Sequence, residues 1–83
     1  MEETRRIALI GIIVEESAAV ERLNSLLHEY RGYIIGRMGI PRPQEGLSII
    51  SIAMEASGDT ISALSGKLGA LPGVSAKTVY AKK

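Results

Sequence analysis

Residues 61–73 read ISALSGKLGALPG, and 41 residues earlier residues 20–32 read VERLNSLLHEYRG. In the first segment Ile61, Leu64, Leu68 and Leu71 recur at i, i+3, i+7 and i+10. In the second, Val20, Leu23, Leu27 and Tyr30 recur at the same spacing, and Gly73 has Gly32 as its mate. That spacing is one stripe of an α-helix, so each half of the chain holds a helix with a single apolar face. Ser17 is a candidate N-cap for the first helix, and Asp59 or Thr60 for the second. Gly32 lies past the end of helix 1. Gly69 can end helix 2, after which Pro72 and Gly73 turn the chain into its last strand.

Working outward, each helical segment has a β-branched run on either side. The predicted layout is strand 5–14, helix 17–30, strand 33–40, strand 47–55, helix 59–69 and strand 74–80. Two βαβ units with right-handed crossovers, joined by a hairpin, make an α+β ferredoxin-like βαββαβ sandwich: a four-stranded antiparallel sheet with both helices on one face. One domain over 1–83 accounts for the whole chain. IALIGIIV (7–14) and LSIISIAM (47–54) are the most continuously apolar strands and should be central, with Arg37, Lys77 and Thr78 on the edges. Alternation along a strand separates two faces. The repeat is read as putting Ile7, Leu9 and Ile13 with Ile50, Ile52 and Met54 under the helices. The uncovered face would then carry Ala8, Ile10, Ile12, Val14, Leu47, Ile49, Ser51 and Ala53.

Composition points to a partner for that face. The chain has 83 residues, 46% of them hydrophobic, and the only aromatics are three tyrosines. Mean hydropathy is +0.16. So small a domain buries only ~60% of its unfolded surface alone, so an aliphatic face without helices calls for another apolar surface. RNA-binding sheets of this fold stack bases on central-strand aromatics, and these central strands have none. Ten basic against nine acidic residues, a net charge of +1, give no electrostatic footprint for nucleic acid. A second copy of the chain is the better occupant. A homo-oligomer, dimer or tetramer, is expected, with Ala8, Ile10, Ile12, Leu47, Ile49 and Ser51 at its interface. Absent cysteines exclude disulfides and thiolate metal sites. The N-terminal apolar run is too short to span a membrane and lacks a cleavage-site pattern. A cytoplasmic protein with no membrane contact is expected.

The order of elements, the aliphatic second face and the LPGV entry to the last strand resemble the ACT-like regulatory group, which includes the effector domain of nickel-responsive repressors. LLHEYRGYIIGRMGIP (26–41), SIISI (48–52) and ISALSGKLGALPGVSAKT (61–78) are similar to the small family called "putative iron-only hydrogenase system regulators". That resemblance covers nearly the whole chain. It implies a stand-alone ACT-like protein of organisms that make iron-only hydrogenase. Two features depart from the wider group. The first strand–helix turn, EESAAV (15–20), has neither the Pro nor the Gly that amino-acid-binding ACT domains usually carry there. One His and no Cys cannot reproduce the nickel site of the repressors.

The remaining candidates for chemistry are few. His28, near the end of helix 1, suits the negative end of the helix dipole, and without a second His or Cys it makes no metal site. Glu15, Glu16 and Glu55 lie near the ends of the central strands, where charges commonly mark the edge of a core. Ser65, Gly66 and Lys67 look like a phosphate-loop ending but fall inside helix 2, without the glycine-rich loop. No nucleophile–base pairing is recognisable, so neither an enzyme nor a cofactor is expected. The best candidate is Arg37, set between Gly36 and Gly39 in an edge strand. The glycines permit a bulge, and Pro41 and Pro43 stop the strand and protect its edge. Alternatively the bulge lets Arg37 grip a carboxylate or phosphate at a subunit seam. The chain thus reads as a non-enzymatic ACT-like regulatory or sensor module, acting as a homo-oligomer and through a partner protein. The alternatives are an assembly module without a ligand and a small ferredoxin-like enzyme.

Overall fold

A computed structural model describes residues 4–82; residues 1–3 and 83 of the domain expected over 1–83 lie outside the described residues. Four strands, β1 (Arg5–Val14), β2 (Ile34–Arg42), β3 (Leu47–Ser57) and β4 (Val74–Tyr80), form one antiparallel sheet in the order β2-β3-β1-β4. The helices α1 (Val20–Glu29) and α2 (Gly58–Gly69) follow β1 and β3. This is the expected ferredoxin-like α+β arrangement, with β1 and β3 central.

The core lies between the sheet and the helices. Leu23 and Leu27 from α1 and Ile61, Leu64 and Leu68 from α2 are buried on it. The repeat is imperfect at Val20, which is 37% exposed where its mate Ile61 is wholly buried. The two helices also start differently. Ser57 caps α2, its Oγ accepting from the Thr60 N–H at 3.2 Å, in place of the expected Asp59 or Thr60. Ser17, expected to cap α1, instead opens a 3₁₀ turn over Ser17–Ala19, and Ala19 at the N-cap of α1 makes no side-chain hydrogen bond.

That turn corrects the faces of β1. Ala8, Ile10 and Ile12, expected on the uncovered face and at the subunit interface, are buried under the helices with Val14. Ile7 and Leu9 are 44% and 47% exposed on the other face. The register agrees, because Ala8, Ile10 and Ile12 stand opposite Met54, Ile52 and Ile50, and opposed residues share a face. The cause is the odd displacement of the repeat. Nine positions separate Val14 from Leu23, but eight separate Ala56 from Leu64, the extra one being taken up by the 3₁₀ turn. A displacement that superposes the helices therefore puts the strands out of phase by one, and a one-residue slip exchanges the faces of a strand. Leu47, Ile49, Ser51 and Ala53 do lie on the uncovered face, where each is half-buried.

The edge strand also runs further than expected. β2 continues through Pro41 to Arg42, since a proline is tolerated on an edge whose N–H side has no neighbour. Its bulge falls between Ile34 and Gly36. Gly46, at φ 71°, closes the hairpin after a short 3₁₀ turn over Pro43–Glu45.

Gly73, at φ 75°, has a stricter role. A Cβ there would stand 2.6 Å from Glu16 Cγ, while the Glu15 N–H donates to the Gly73 carbonyl at 2.7 Å. Gly73→Ala is expected to lose ~1–3 kcal/mol through left-handed backbone strain, plus the cost of displacing Glu16. In a Glu16→Gly background the displacement cost disappears and the strain remains. Urea unfolding of both variants measures the two contributions.

Candidate functional site

On β2 the backbone alternation separates Arg37 from its flanking glycine. Arg37 stands opposite Ile52, whose side chain is in the core, so Arg37 is on the helix side of the sheet. Gly36 stands opposite Ala53 on the uncovered face, where a Cβ would make an ordinary 3.8 Å contact with the Ala53 Cβ. Gly39 shares the face of Arg37, opposite Ile50, and nothing lies within 4 Å of where its Cβ would be. Neither glycine is forced by a close approach within the chain. Gly39 leaves open space two residues from Arg37, and Gly36 follows the bulge. The placement corrects the expected surroundings of Arg37, which lies against α1 and faces away from the uncovered side of the sheet.

Arg37 reaches α1 directly. Its Nη2 donates to Asn24 Oδ1 at 3.1 Å. Asn24, Leu27, His28, Arg31, Ile34 and Arg37 line a cleft of about 430 Å³ between the helix and the edge strand. Arg31, just past the helix, donates from Nη1 to the His28 carbonyl at 2.9 Å and so satisfies a C-terminal orphan acceptor. Asn24, His28 and Arg31 follow the spacing i, i+4, i+7, a polar stripe one residue along from Leu23, Leu27 and Tyr30. That stripe is visible in the sequence, but only the packing of α1 beside β2 joins it to Arg37.

The other candidates do not assemble. Glu15 and Glu16 follow the C-terminal end of β1, whereas Glu55 stands opposite Ile7 at the other end of the sheet. Glu55 pairs with Arg5 at 3.8 Å. Among the described residues, no three His, Cys, Asp or Glu side chains cluster as a metal site would require. Ser65, Gly66 and Lys67 lie within α2, where Ser65 Oγ accepts from Thr78 Oγ1 at 3.0 Å. Lys67 Nζ is 5.2 Å from the centre of the Tyr30 ring, and the neighbouring Tyr30 side chain holds the lysine pKa above its ordinary value. No helix of the described residues is long and apolar enough to cross a membrane.

The sheet face away from the helices is the other large feature. Ile40, Ile49 and Ile13 form one row across three strands, and Met38, Ser51, Gly11 and Lys77 form the next. Gly36, Ala53, Leu9 and Val79 make a third. Exposure reaches 51% at Met38 and 66% at Val79. A ridge of isoleucines thus adjoins a trough floored by Ser51 and Gly11.

Comparison with known proteins fits this architecture. A family model for TM1266-like proteins, described as "Iron-only hydrogenase system regulator, putative", matches residues 6–78. The structure of the uncharacterized protein TM1266 from Thermotoga maritima superposes with a TM-score of 0.91 at 39% identity, covering 95% of this chain and 100% of that one. A formyltetrahydrofolate deformylase from Pseudomonas putida KT2440 superposes with a TM-score of 0.63 at 14% identity. That match covers 88% of this chain and 28% of the deformylase. The divalent ion tolerance protein CutA1 from Ehrlichia chaffeensis gives 0.52 at 13% identity, over 98% and 86% of the two chains. The last two likenesses establish the shared fold alone. No curated protein gives a significant match.

Proposed function

Because the chain belongs to the TM1266-like family, we propose that it is a non-enzymatic regulatory module of ACT-like type that assembles with copies of itself. The observation that carries this reading is the uncovered sheet face, which is mainly apolar, with Lys77 on its β4 edge and the ion pairs Arg5–Glu55 and Arg42–Glu45 towards its two ends. An apolar centre with a charged rim is the usual layout of a protein interface. The ridge of Ile13, Ile40 and Ile49 next to the trough at Gly11 and Ser51 favours a second copy, because a two-fold axis can lay each ridge in the opposite trough. Sheet-on-sheet packing buries such faces about 10 Å apart. The balanced charge and the lack of aromatics on this face favour action through a partner protein over direct contact with nucleic acid.

Analytical ultracentrifugation tests the assembly. The wild-type protein should sediment as a dimer or tetramer, and Ile49→Lys should weaken association by at least about tenfold while the monomer stays folded, since one tenfold step needs only ~1.4 kcal/mol. A wild-type protein that is monomeric at every concentration would refute the assembly.

A further inference from the structure

We infer that the cleft between α1 and β2 is a binding site for a small molecule carrying a phosphate or carboxylate group, held by Arg37 and Arg31. The argument begins with how the basic side chains are engaged. Arg42 is held by Glu45 at 2.8 Å, and Arg5 faces Glu55. Arg6 lies 3.9 Å from the centre of the Tyr80 ring, and Lys67 lies over Tyr30. Arg31 and Arg37 differ from these, as does Arg22, but the cavities that Arg22 lines also hold Glu29 or Glu16. Among the described residues the hydrogen bonds of Arg31 and Arg37 go only to neutral oxygens, the His28 carbonyl and Asn24 Oδ1. Each guanidinium has five N–H donors in a planar fork, so one bond apiece leaves most of that capacity for an oxyanion.

The cleft adds shape to charge. Both arginines and His28 line it, and no carboxylate does. Leu27, which is buried, and Ile34, which is half-buried, supply apolar lining. Its volume of about 430 Å³ is in the range of small-molecule pockets and leaves room for an organic portion beyond the oxyanion. The bond to Asn24 braces Arg37 against α1, so the fork is held at the cleft before a ligand arrives. The helix C-terminus disfavours an anion nearby, but Arg31 already donates to one of its carbonyls and offsets that field. Two cavities of comparable size are poorer candidates: at the β2–β3 hairpin, about 400 Å³, Arg42 is engaged by Glu45 and Glu15 also lines the space, and between α1 and α2, about 440 Å³, Glu29 stands beside Arg22 and Lys67.

The proposal rests on the sensor reading in supplying its ligand class, and the two fail separately, since sedimentation tests assembly and a titration tests this cleft. Inorganic phosphate, glycerol 3-phosphate and malate are titrated into the uniformly ¹⁵N-labelled protein at constant ionic strength, with chloride as control. Saturable shifts are expected at the amides of residues 24–37 and at the Arg37 Nε–H, with Kd on the order of millimolar, as exposed charged contacts give. Arg37→Ala and Arg31→Ala should each weaken binding at least tenfold. Arg37→Lys should fall between Arg37→Ala and wild type, because an ammonium keeps the charge but loses the fork. Arg42→Ala should leave the affinity unchanged. Saturation by the phosphates alone, or by malate alone, supports the site and assigns its oxyanion. Shifts that never saturate, that spread over all surface cations, or that Arg42→Ala reduces as much as Arg37→Ala would overturn it.

Discussion

Ile10→Lys should abolish the cooperative unfolding transition, while Leu9→Lys, one residue away, should leave a folded chain. Ile10 has no exposed surface, packed between β1 and the helices. An ammonium there has no partner, and an uncompensated buried charge costs ~3–5 kcal/mol. The packing lost with the isoleucine adds to that. A domain of this size has a total stability of about 4–12 kcal/mol, so the change removes most or all of it. Leu9 is 47% exposed on the other face, where a lysine end can reach water. Circular dichroism with urea titration distinguishes the pair. A folded Ile10→Lys beside an unfolded Leu9→Lys would reverse the two faces of β1.

The second large effect is in the helix stripes. Leu23→Ala and Leu64→Ala should each cost ~2–5 kcal/mol, the penalty for leaving a cavity in place of a buried leucine. Both side chains are completely buried, one on each helix. Val20→Ala provides the contrast, since Val20 is 37% exposed; as a surface change it should stay within about 0.5 kcal/mol. Denaturant midpoints at constant m-value give these differences directly. A loss below about 1 kcal/mol at both leucines would mean that the helices present other faces to the sheet.

Why helix faces can be read from this sequence when a strand face cannot follows from periodicity. In α1 the apolar residues Leu23 and Leu27 alternate with Glu21, Arg22, Asn24 and His28, so only one orientation buries the stripe. The order of elements and the central position of β1 and β3 are legible for similar reasons. The segment IALIGIIV has no polar residue at all, so its composition is the same for either phase. Its phase is set by the 3₁₀ turn at Ser17–Ala19, which has no distinctive residues. The candidate site was legible to a similar degree. Arg37 stands out as a charge within an apolar strand, and its bulge is foreshadowed by glycine. That it faces α1 depends on parity with Ile52 across a strand pairing, which no local pattern encodes.

The broken edge strand has a consequence for the size any assembly can reach. A sheet grows without limit when its outermost strand offers an uninterrupted ladder to the next chain, which is the geometry of a fibre. In β2 the extra residue near Ile35 interrupts that ladder at one end, and Pro41, lacking an N–H, removes a donor at the other. The strand therefore acts as a chain terminator in the polymer chemist's sense, despite exposing Ile35, Met38 and Ile40. Lateral strand addition at the β2 edge is blocked, and the β4 edge by itself can pair only once with its like. Contact through the flat of the sheet is left open and closes on itself once two surfaces have met. If copies meet through that face as proposed, the same strand limits the assembly to a finite number of subunits.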